Sequence, residues 1–367
     1  MRLWACLLIV ATSISACGGS APKERSQPRP APRAQRPAVF PSQPQGVRFP
    51  TRSWPRGEWP STADRAAVDD AADVALNDGG DARVRAIVIV KGGELVYERY
   101  SPNREDGRDK AMPGFSMAKS ITSALVGTLV KDDRLDVDAR APVPEWSGQG
   151  DPRHAITLDD LLRMSSGLEW SEQPYPRVSD LTRMLTSRDA AAFVAAKDLA
   201  HEPGTRFQYN TGNTILVDAI MADEVGSAAA FRRLMDAKLL DRIGMRPLHV
   251  RFDAAGTWLG GVSAEATAQD FAKLGLLYLR DGVWDGERVL PEGWVQYSRT
   301  PSASNREYGA GWWLDLKRPG VFYAIGVDGQ VIAVVPDQDL TFVALSTDSN
   351  ASLALSEAIL DAFAGRR

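Results

Sequence analysis

Ser116 and Lys119 are the residues in this sequence whose types and spacing are best suited to covalent chemistry. They follow the helix-breaking pair Pro113-Gly114 and open an apolar run, typical of a helix, that ends near Val130. Helical residues three apart have Cβ atoms roughly 5–6 Å from each other, so a serine hydroxyl and a lysine amine at this spacing can exchange a proton. Unpaired backbone N–H groups at a helix start also suit an oxyanion, and we expect the N–H of Ser116 to be one such donor. The pattern predicts a serine nucleophile with a lysine base.

This spacing alone does not establish the chemistry. Ser20 and Lys23 have the same spacing but lie in a proline-rich segment that cannot form such a helix. The assignment of Ser116 and Lys119 therefore depends on other motifs farther along the chain.

Other kinds of chemistry have less support in the composition. The chain has three scattered histidines and two cysteines, which give no metal-ligand spacing, so neither a metal nor a cofactor is predicted. An α/β-hydrolase triad is a rival interpretation, because residues 114–118 loosely match its nucleophile elbow, but no histidine follows His249. The net charge is −4 and no basic face indicates a nucleic-acid partner.

The first residues predict export. A short basic start precedes an apolar run over 3–14 that is too short to span a bilayer. The tetrapeptide that ends at Cys17 resembles the bacterial lipobox, so we expect residues 1–16 to be a lipoprotein signal peptide and Cys17 to be lipidated. The protein would then be anchored to a membrane, facing the periplasm or the cell surface. An ordinary secretory signal is the alternative, and it also exports the protein.

Residues 17–50 are predicted to form a tether. Ten of the 23 prolines fall between Pro22 and Pro60, and the early part of this segment is basic. Such a composition is typical of a stiff, extended linker. Residues 51–367 then form the folded domain, and this domain contains no cysteine. It must therefore be stabilised by its core rather than by disulfides.

The domain itself predicts an α/β (α+β) fold. Helical spacing over 62–76 is followed by two β-rich runs, 84–90 and 94–100, joined by a glycine turn. The middle of the chain is mostly helical, and four short strands are predicted over 309–314, 321–325, 331–335 and 340–345, before a last helix over 353–363. Strands at both ends with helices between them indicate an antiparallel sheet flanked by helices, with an inserted helical lobe. A cleft between sheet and lobe is a natural place for Ser116.

Several motifs in a fixed order then give a family resemblance. Residues 114–119, 161–170 and 203–213 resemble, in sequence order, the motifs of the serine β-lactamase and penicillin-binding-like hydrolases. The match is closest to the esterase and 6-aminohexanoate-dimer hydrolase branch, and residues 270–279, 282–286, 308–313 and 326–330 agree with it. This resemblance implies a β-lactamase/DD-peptidase-like fold and a serine hydrolase that passes through an acyl-enzyme.

The second motif of that family corresponds to residues 209–211. By resemblance, the Tyr209 phenol lies near Ser116 and Lys119 and relays a proton to the leaving group. Thr211 stands where the lactamases have Asn, and we expect it to contact substrate through its hydroxyl. Whether Lys119 or Tyr209 is the resting base stays open at this point.

The third motif departs from the family pattern. The lactamases and transpeptidases have Lys-Thr-Gly there, whereas this sequence has Ala324-Ile325-Gly326. The resemblance implies that Gly326 lets backbone approach the substrate and that the Val327 N–H is the second oxyanion donor, beside that of Ser116. The cation and hydroxyl that would hold a substrate carboxylate are absent, which favours the esterase-like branch.

A small-molecule ester or amide is the predicted substrate, with Trp170 as a further contact; for Trp170, core packing is an equally good interpretation. Two other functions stay open: a penicillin-binding-type D-Ala-D-Ala carboxypeptidase or β-lactamase, and a catalytically silent binding protein of the cell envelope. The sequence does not fix the oligomeric state.

Overall fold

The computed structural model describes residues 40–365, except 42, 45, 77–82, 104 and 174–177. The predicted signal peptide, Cys17 and most of the predicted tether lie outside the described residues. None of the described helices is long and apolar enough to cross a membrane.

Ten strands are described. They are β1 Val84–Lys91, β2 Glu94–Tyr100, β3 Met112–Pro113, β4 Glu265–Ala266, β5 Val283–Trp284, β6 Glu287–Arg288, β7 Trp313–Leu314, β8 Phe322–Gly326, β9 Gln330–Val335 and β10 Leu340–Ser346. Six of them form one antiparallel sheet in the order β2-β1-β10-β9-β8-β7. Strands from both ends of the chain therefore meet inside the sheet, where β1 pairs with β10.

Eleven α-helices are described. They are α1 Arg65–Leu76, α2 Ala118–Lys131, α3 Leu158–Leu162, α4 Asp180–Thr186, α5 Ala190–Ala195, α6 Thr211–Val225, α7 Ala228–Met235, α8 Asp241–Ile243, α9 Ala268–Leu279, α10 Trp294–Ser298 and α11 Ser349–Phe363. A π-helical turn, Asp236–Leu240, joins α7 to α8. The predicted antiparallel sheet with flanking helices and a helical insertion is confirmed.

The sheet is buried on both faces, which explains why β1 reads as a nearly continuous apolar run. Ala86, Val88 and Val90 face the cluster that contains α2 and α9. Ile87 and Ile89 point the other way, into the cluster formed with α1 and α11. This alternation is the period of two that a strand imposes on its side chains.

Helix α2 runs through the middle of the larger cluster. Every residue from Ala118 to Leu129 is buried. The helix is packed by the helical lobe on one side, where α6 and the π-helical turn contact it, and by the sheet core on the other. Its first turn therefore lies at the junction between lobe and sheet.

One local difference from the sequence analysis has a clear cause. The strand expected over 309–314 is reduced to β7, because Gly311 has φ +80°, outside the β region, and Ala310 donates its N–H to Ser298 near the end of α10. Two residues of the predicted tether, Phe40 and Phe49, also contact the folded domain. Phe49 packs against Trp284 with ring centroids 5.0 Å apart, and the Arg299 guanidinium carbon lies 5.3 Å from the ring centroid of Phe40.

Candidate active site

The backbone around Ser116 is held tightly. Strands β3 and β4 pair just before it, and the N–H of Gly114 donates to the carbonyl of Ala264 over 2.7 Å. Phe115 has φ +47°, a left-handed conformation that is strained for a bulky side chain. A 3₁₀ turn, Phe115–Met117, then leads into α2. The α-helix thus begins at Ala118, two residues after Ser116, and Ser116 lies in the 3₁₀ turn that precedes it.

Lys119 Nζ lies 3.1 Å from the Oγ of Ser116, as the spacing predicted. The amine has two other partners: it donates to the carbonyl of Gly261 over 2.6 Å and to the Oγ1 of Thr211 over 3.0 Å. The side chain is almost fully enclosed, with 3% of the residue exposed.

This enclosure changes the acidity of Lys119. Burial lowers the pKa of the Lys119 amine from 10.5 to about 8, and the negative charges of Glu172 and Asp218 oppose that shift without cancelling it. At pH 7, about one lysine in ten is then neutral and able to accept a proton. A solvated lysine would be almost entirely charged at the same pH.

Tyr209 lies on the segment just before α6. The centroid of its ring is 4.8 Å from Lys119 Nζ, and Trp313 stacks on the ring at 5.6 Å with an interplanar angle of 25°. Burial raises the pKa of the Tyr209 phenol well above its usual range, and the nearby Ser116 hydroxyl opposes this rise. Tyr209 is therefore protonated at neutral pH and can donate a proton.

Thr211 and Trp170 do not have the surroundings expected of substrate contacts. Thr211 is fully buried, and Trp170 is 5% exposed. The indole Nε1 of Trp170 donates to the Oε2 of Glu172. The Thr211 hydroxyl is held between Lys119 and Glu172, and its contact with substrate stays a prediction. For Trp170, the core-packing interpretation is the one that its burial favours.

Glu172 is a residue that the sequence analysis missed. Its carboxylate accepts hydrogen bonds from the Thr211 N–H at 3.0 Å, from the Thr211 hydroxyl and from the Trp170 indole. Its position two residues after the family-like stretch that ends at Trp170 was the only signal, and no spacing rule connects it with Lys119.

Asp218 was also missed. It has no exposed surface, and its carboxylate accepts hydrogen bonds from Thr122 at 2.9 Å and from the Gly260 N–H at 3.0 Å. An acidic residue within the apolar stretch that became α6 was a usable signal, because such groups are rarely buried without a role.

Gly326 ends β8 directly beside the 3₁₀ turn. A Cβ atom at this position would come within 2.3 Å of the Gly114 carbonyl oxygen, so only glycine allows the two segments to approach this closely. Val327 follows and is 39% exposed, an unusual exposure for a large apolar side chain in this body. The role of its N–H as an oxyanion donor stays a prediction.

The third-motif position carries no cation. Ala324 is 1% exposed and faces the core cluster of α2, while Ile325 faces the opposite cluster. Within the described residues, no group of three or more His, Cys, Asp or Glu could hold a metal ion.

Comparison with known proteins agrees with this architecture. The β-lactamase family model matches residues 70–366. The 6-aminohexanoate-dimer hydrolase of Paenarthrobacter ureafaciens is 27% identical over 290 residues, which cover 71% of this chain and 72% of that protein. These matches confirm the resemblance seen in the motifs.

Solved structures from several groups of hydrolases share the fold. A family VIII carboxylesterase superposes with a TM-score of 0.64 at 16% identity, covering 84% of this chain and 99% of that one. A penicillin-binding protein homologue from Caulobacter crescentus gives a TM-score of 0.61 at 17% identity, covering 83% and 99%. The chain therefore belongs to the β-lactamase family and is a serine hydrolase of that family.

Proposed function

We propose that this protein hydrolyses carboxylic esters or small amides through an acyl-enzyme formed on Ser116. The observation that carries the proposal is the contact of 3.1 Å between Ser116 Oγ and the buried amine of Lys119, whose pKa is lowered to about 8. A lysine that is partly neutral at physiological pH can act as the base for a serine hydroxyl.

In the proposed mechanism, neutral Lys119 removes the hydroxyl proton as Ser116 Oγ attacks the substrate carbonyl carbon. The oxyanion accepts hydrogen bonds from the N–H groups of Ser116 and Val327. When the tetrahedral intermediate collapses, Tyr209 gives its phenolic proton to the departing alkoxide or amine and recovers a proton from Lys119. Water then attacks the acyl-enzyme with Lys119 again as base, which releases the acid and restores Ser116.

The surroundings of Tyr209 support a donor rather than a resting base. Its raised pKa disfavours the phenolate, whereas the lowered pKa of Lys119 favours the neutral amine. The question that the sequence left open is thus best answered by Lys119 as base and Tyr209 as acid.

Neutral acyl groups fit this site better than carboxylate-bearing substrates. By the resemblance of the third motif, Ala324 and Ile325 replace the residues with which penicillin-binding-type enzymes hold a carboxylate, and both are buried and apolar. The same absence weighs against a D-Ala-D-Ala carboxypeptidase. A silent binding protein is disfavoured because it would not need the Ser116–Lys119 contact.

The test is covalent labelling of Ser116 by a fluorophosphonate, followed by a panel of esters and amides of graded acyl length. We expect wild-type protein to be labelled at Ser116 and Ser116→Ala to lose hydrolysis by several orders of magnitude, because it lacks the nucleophile. Activity of the variant within about tenfold of wild type would contradict the assignment.

We also propose that the protein is an exported lipoprotein attached through Cys17, on the sequence pattern of residues 1–17. Mass spectrometry of protein from the membrane fraction tests this directly. A mature N-terminus at a lipid-modified Cys17 is expected, and an unmodified Cys17 or a different N-terminus would refute the proposal.

A further inference from the structure

Three hydrogen-bond acceptors surround the amine of Lys119, and they differ in whether they can also donate a hydrogen bond to it. The Gly261 carbonyl, 2.6 Å away, can only accept a hydrogen bond. The hydroxyls of Ser116, at 3.1 Å, and Thr211, at 3.0 Å, can each accept or donate. Which hydroxyl donates to Lys119 decides where the lone pair of the neutral amine points.

Glu172 restricts one of these hydroxyls. Its two oxygens receive the Trp170 indole N–H, the Thr211 backbone N–H and the Thr211 hydroxyl. Two of these groups, the indole and the backbone amide, are donors only, so the carboxylate form suits the site. A carboxylate can only accept, so the proton of the Thr211 hydroxyl lies on the Glu172 side and its lone pairs face Lys119.

We infer that Glu172 is a positioning residue: acting through Thr211, it directs the lone pair of neutral Lys119 at the hydroxyl of Ser116. Charged Lys119 donates to all three neighbours. Of its protons, the one that it can lose faces Ser116. The Gly261 carbonyl has no proton to donate to the free amine, and the Thr211 hydroxyl already donates its proton to Glu172. The free amine is thereby held ready to accept the proton of the nucleophile. This inference rests on the proposed function and assigns a further residue to it.

The charges around Lys119 are few. Glu172 and Asp218 both act to raise the pKa of the amine, and the third titratable neighbour, Tyr209, is protonated because burial raises its own pKa. Removing the charge of Glu172 should therefore lower the pKa of Lys119, while an uncharged glutamine could turn its NH₂ group toward Thr211. The Thr211 hydroxyl would then be free to donate to Lys119 and draw the lone pair away from Ser116.

The experiment measures the rate of Ser116 labelling by a fluorophosphonate against pH in the full-length protein. The variants are Glu172→Gln, Thr211→Val and Thr211→Ser. Glu169→Gln is the matched control, because Glu169 is an exposed glutamate three residues before Glu172 on the same segment. Thermal unfolding of each variant checks that it is folded.

We expect Glu172→Gln and Thr211→Val to lower the labelling rate at its high-pH plateau by about 10- to 100-fold, the effect of one lost hydrogen bond to a charged or reacting group. In Glu172→Gln the acid limb of the profile should also move to lower pH. The labelling rate of Thr211→Ser, which keeps the hydroxyl, should stay within about threefold of the wild-type rate. The Glu169→Gln control should be labelled at the wild-type rate.

Three results would overturn the inference. A wild-type plateau in Glu172→Gln would mean that Glu172 acts by charge alone. A lowered plateau with an unmoved acid limb would indicate general loosening of the site, and a wild-type plateau in Thr211→Val would remove the link to Lys119. Absence of any label on wild-type Ser116 is a separate result, which would refute the proposed function itself.

Discussion

Asp218 accepts a hydrogen bond from the backbone N–H of Gly260 over 3.0 Å, although it lies in the core with no exposed surface. The next residue, Gly261, offers its carbonyl to Lys119. A Cβ atom on Gly260 would come within 2.4 Å of the Asp218 carboxylate, so the fit between this loop and α6 depends on glycine. A buried acid thus fixes the loop that orients the proposed base.

Asp218→Ala should therefore harm both stability and nucleophile activation. The Gly260 N–H and the Thr122 hydroxyl would lose their buried acceptor, at a cost of about 1–3 kcal/mol for each group left unpaired. Urea unfolding and the rate of Ser116 labelling measure the two effects. Asp218→Asn is the control, because its amide can still accept from Gly260, and it should retain the labelling plateau. Equal losses of unfolding free energy and of labelling rate in Asp218→Ala and Asp218→Asn would contradict a hydrogen-bonding role for Asp218.

The pH dependence of kcat/KM should follow the ionisation of Lys119. Only the neutral amine accepts a proton, and its fraction grows as pH rises through the pKa of about 8. Activity on a neutral ester should therefore rise with pH along an acid limb centred near pH 8. The measurement is kcat/KM across pH 5–10 with a non-ionising substrate. A limb centred near pH 4, typical of a carboxylate base, would rule out Lys119.

Tyr209→Phe should slow substrates according to their leaving groups. A phenolic acid that protonates the leaving group contributes about 10²- to 10⁴-fold for a poor leaving group such as an alkoxide. p-Nitrophenolate departs without a proton, so p-nitrophenyl esters should be affected much less than ethyl esters of the same acid.

Tyr308→Phe provides the control for this variant. Tyr308 is buried beside Tyr209, with ring centroids 6.1 Å apart, and loses the same hydroxyl without touching the proposed chemistry. An equal loss on both leaving groups in Tyr209→Phe would show that the phenol does not act as a leaving-group acid.

Short-chain esters should be far better substrates than β-lactams. The strand that precedes Val327 offers Ala324 and Ile325 in place of a carboxylate clamp. A missing charge-assisted hydrogen bond is worth about 1.5–3 kcal/mol, or roughly one to two decades in rate. The comparison is kcat/KM for p-nitrophenyl butyrate against nitrocefin on the same preparation. Faster hydrolysis of nitrocefin would contradict the proposed specificity.

Much of the fold could be predicted because its signals are local. The continuous apolar run of β1 and the glycine turn before β2 follow from residue types and turn chemistry within a few residues. The glycine-rich stretch around β7 was misassigned, since Gly311 adopts φ +80° and Ala310 bonds to Ser298, a partner that the local pattern does not reveal.

For the site, the sequence by itself determined the pair Ser116 and Lys119, because one turn of helix brings residues three apart together whatever surrounds them. Tyr209 could be assigned only through a family motif. The roles of Glu172, Asp218 and Gly261 were decided by the tertiary structure. Gly261 lies 142 residues from Lys119 along the chain, yet its carbonyl is the shortest contact of the amine. Burial and hydrogen-bond direction depend on the groups that folding assembles around a side chain, and these set the acidity of Lys119 and the direction of its lone pair.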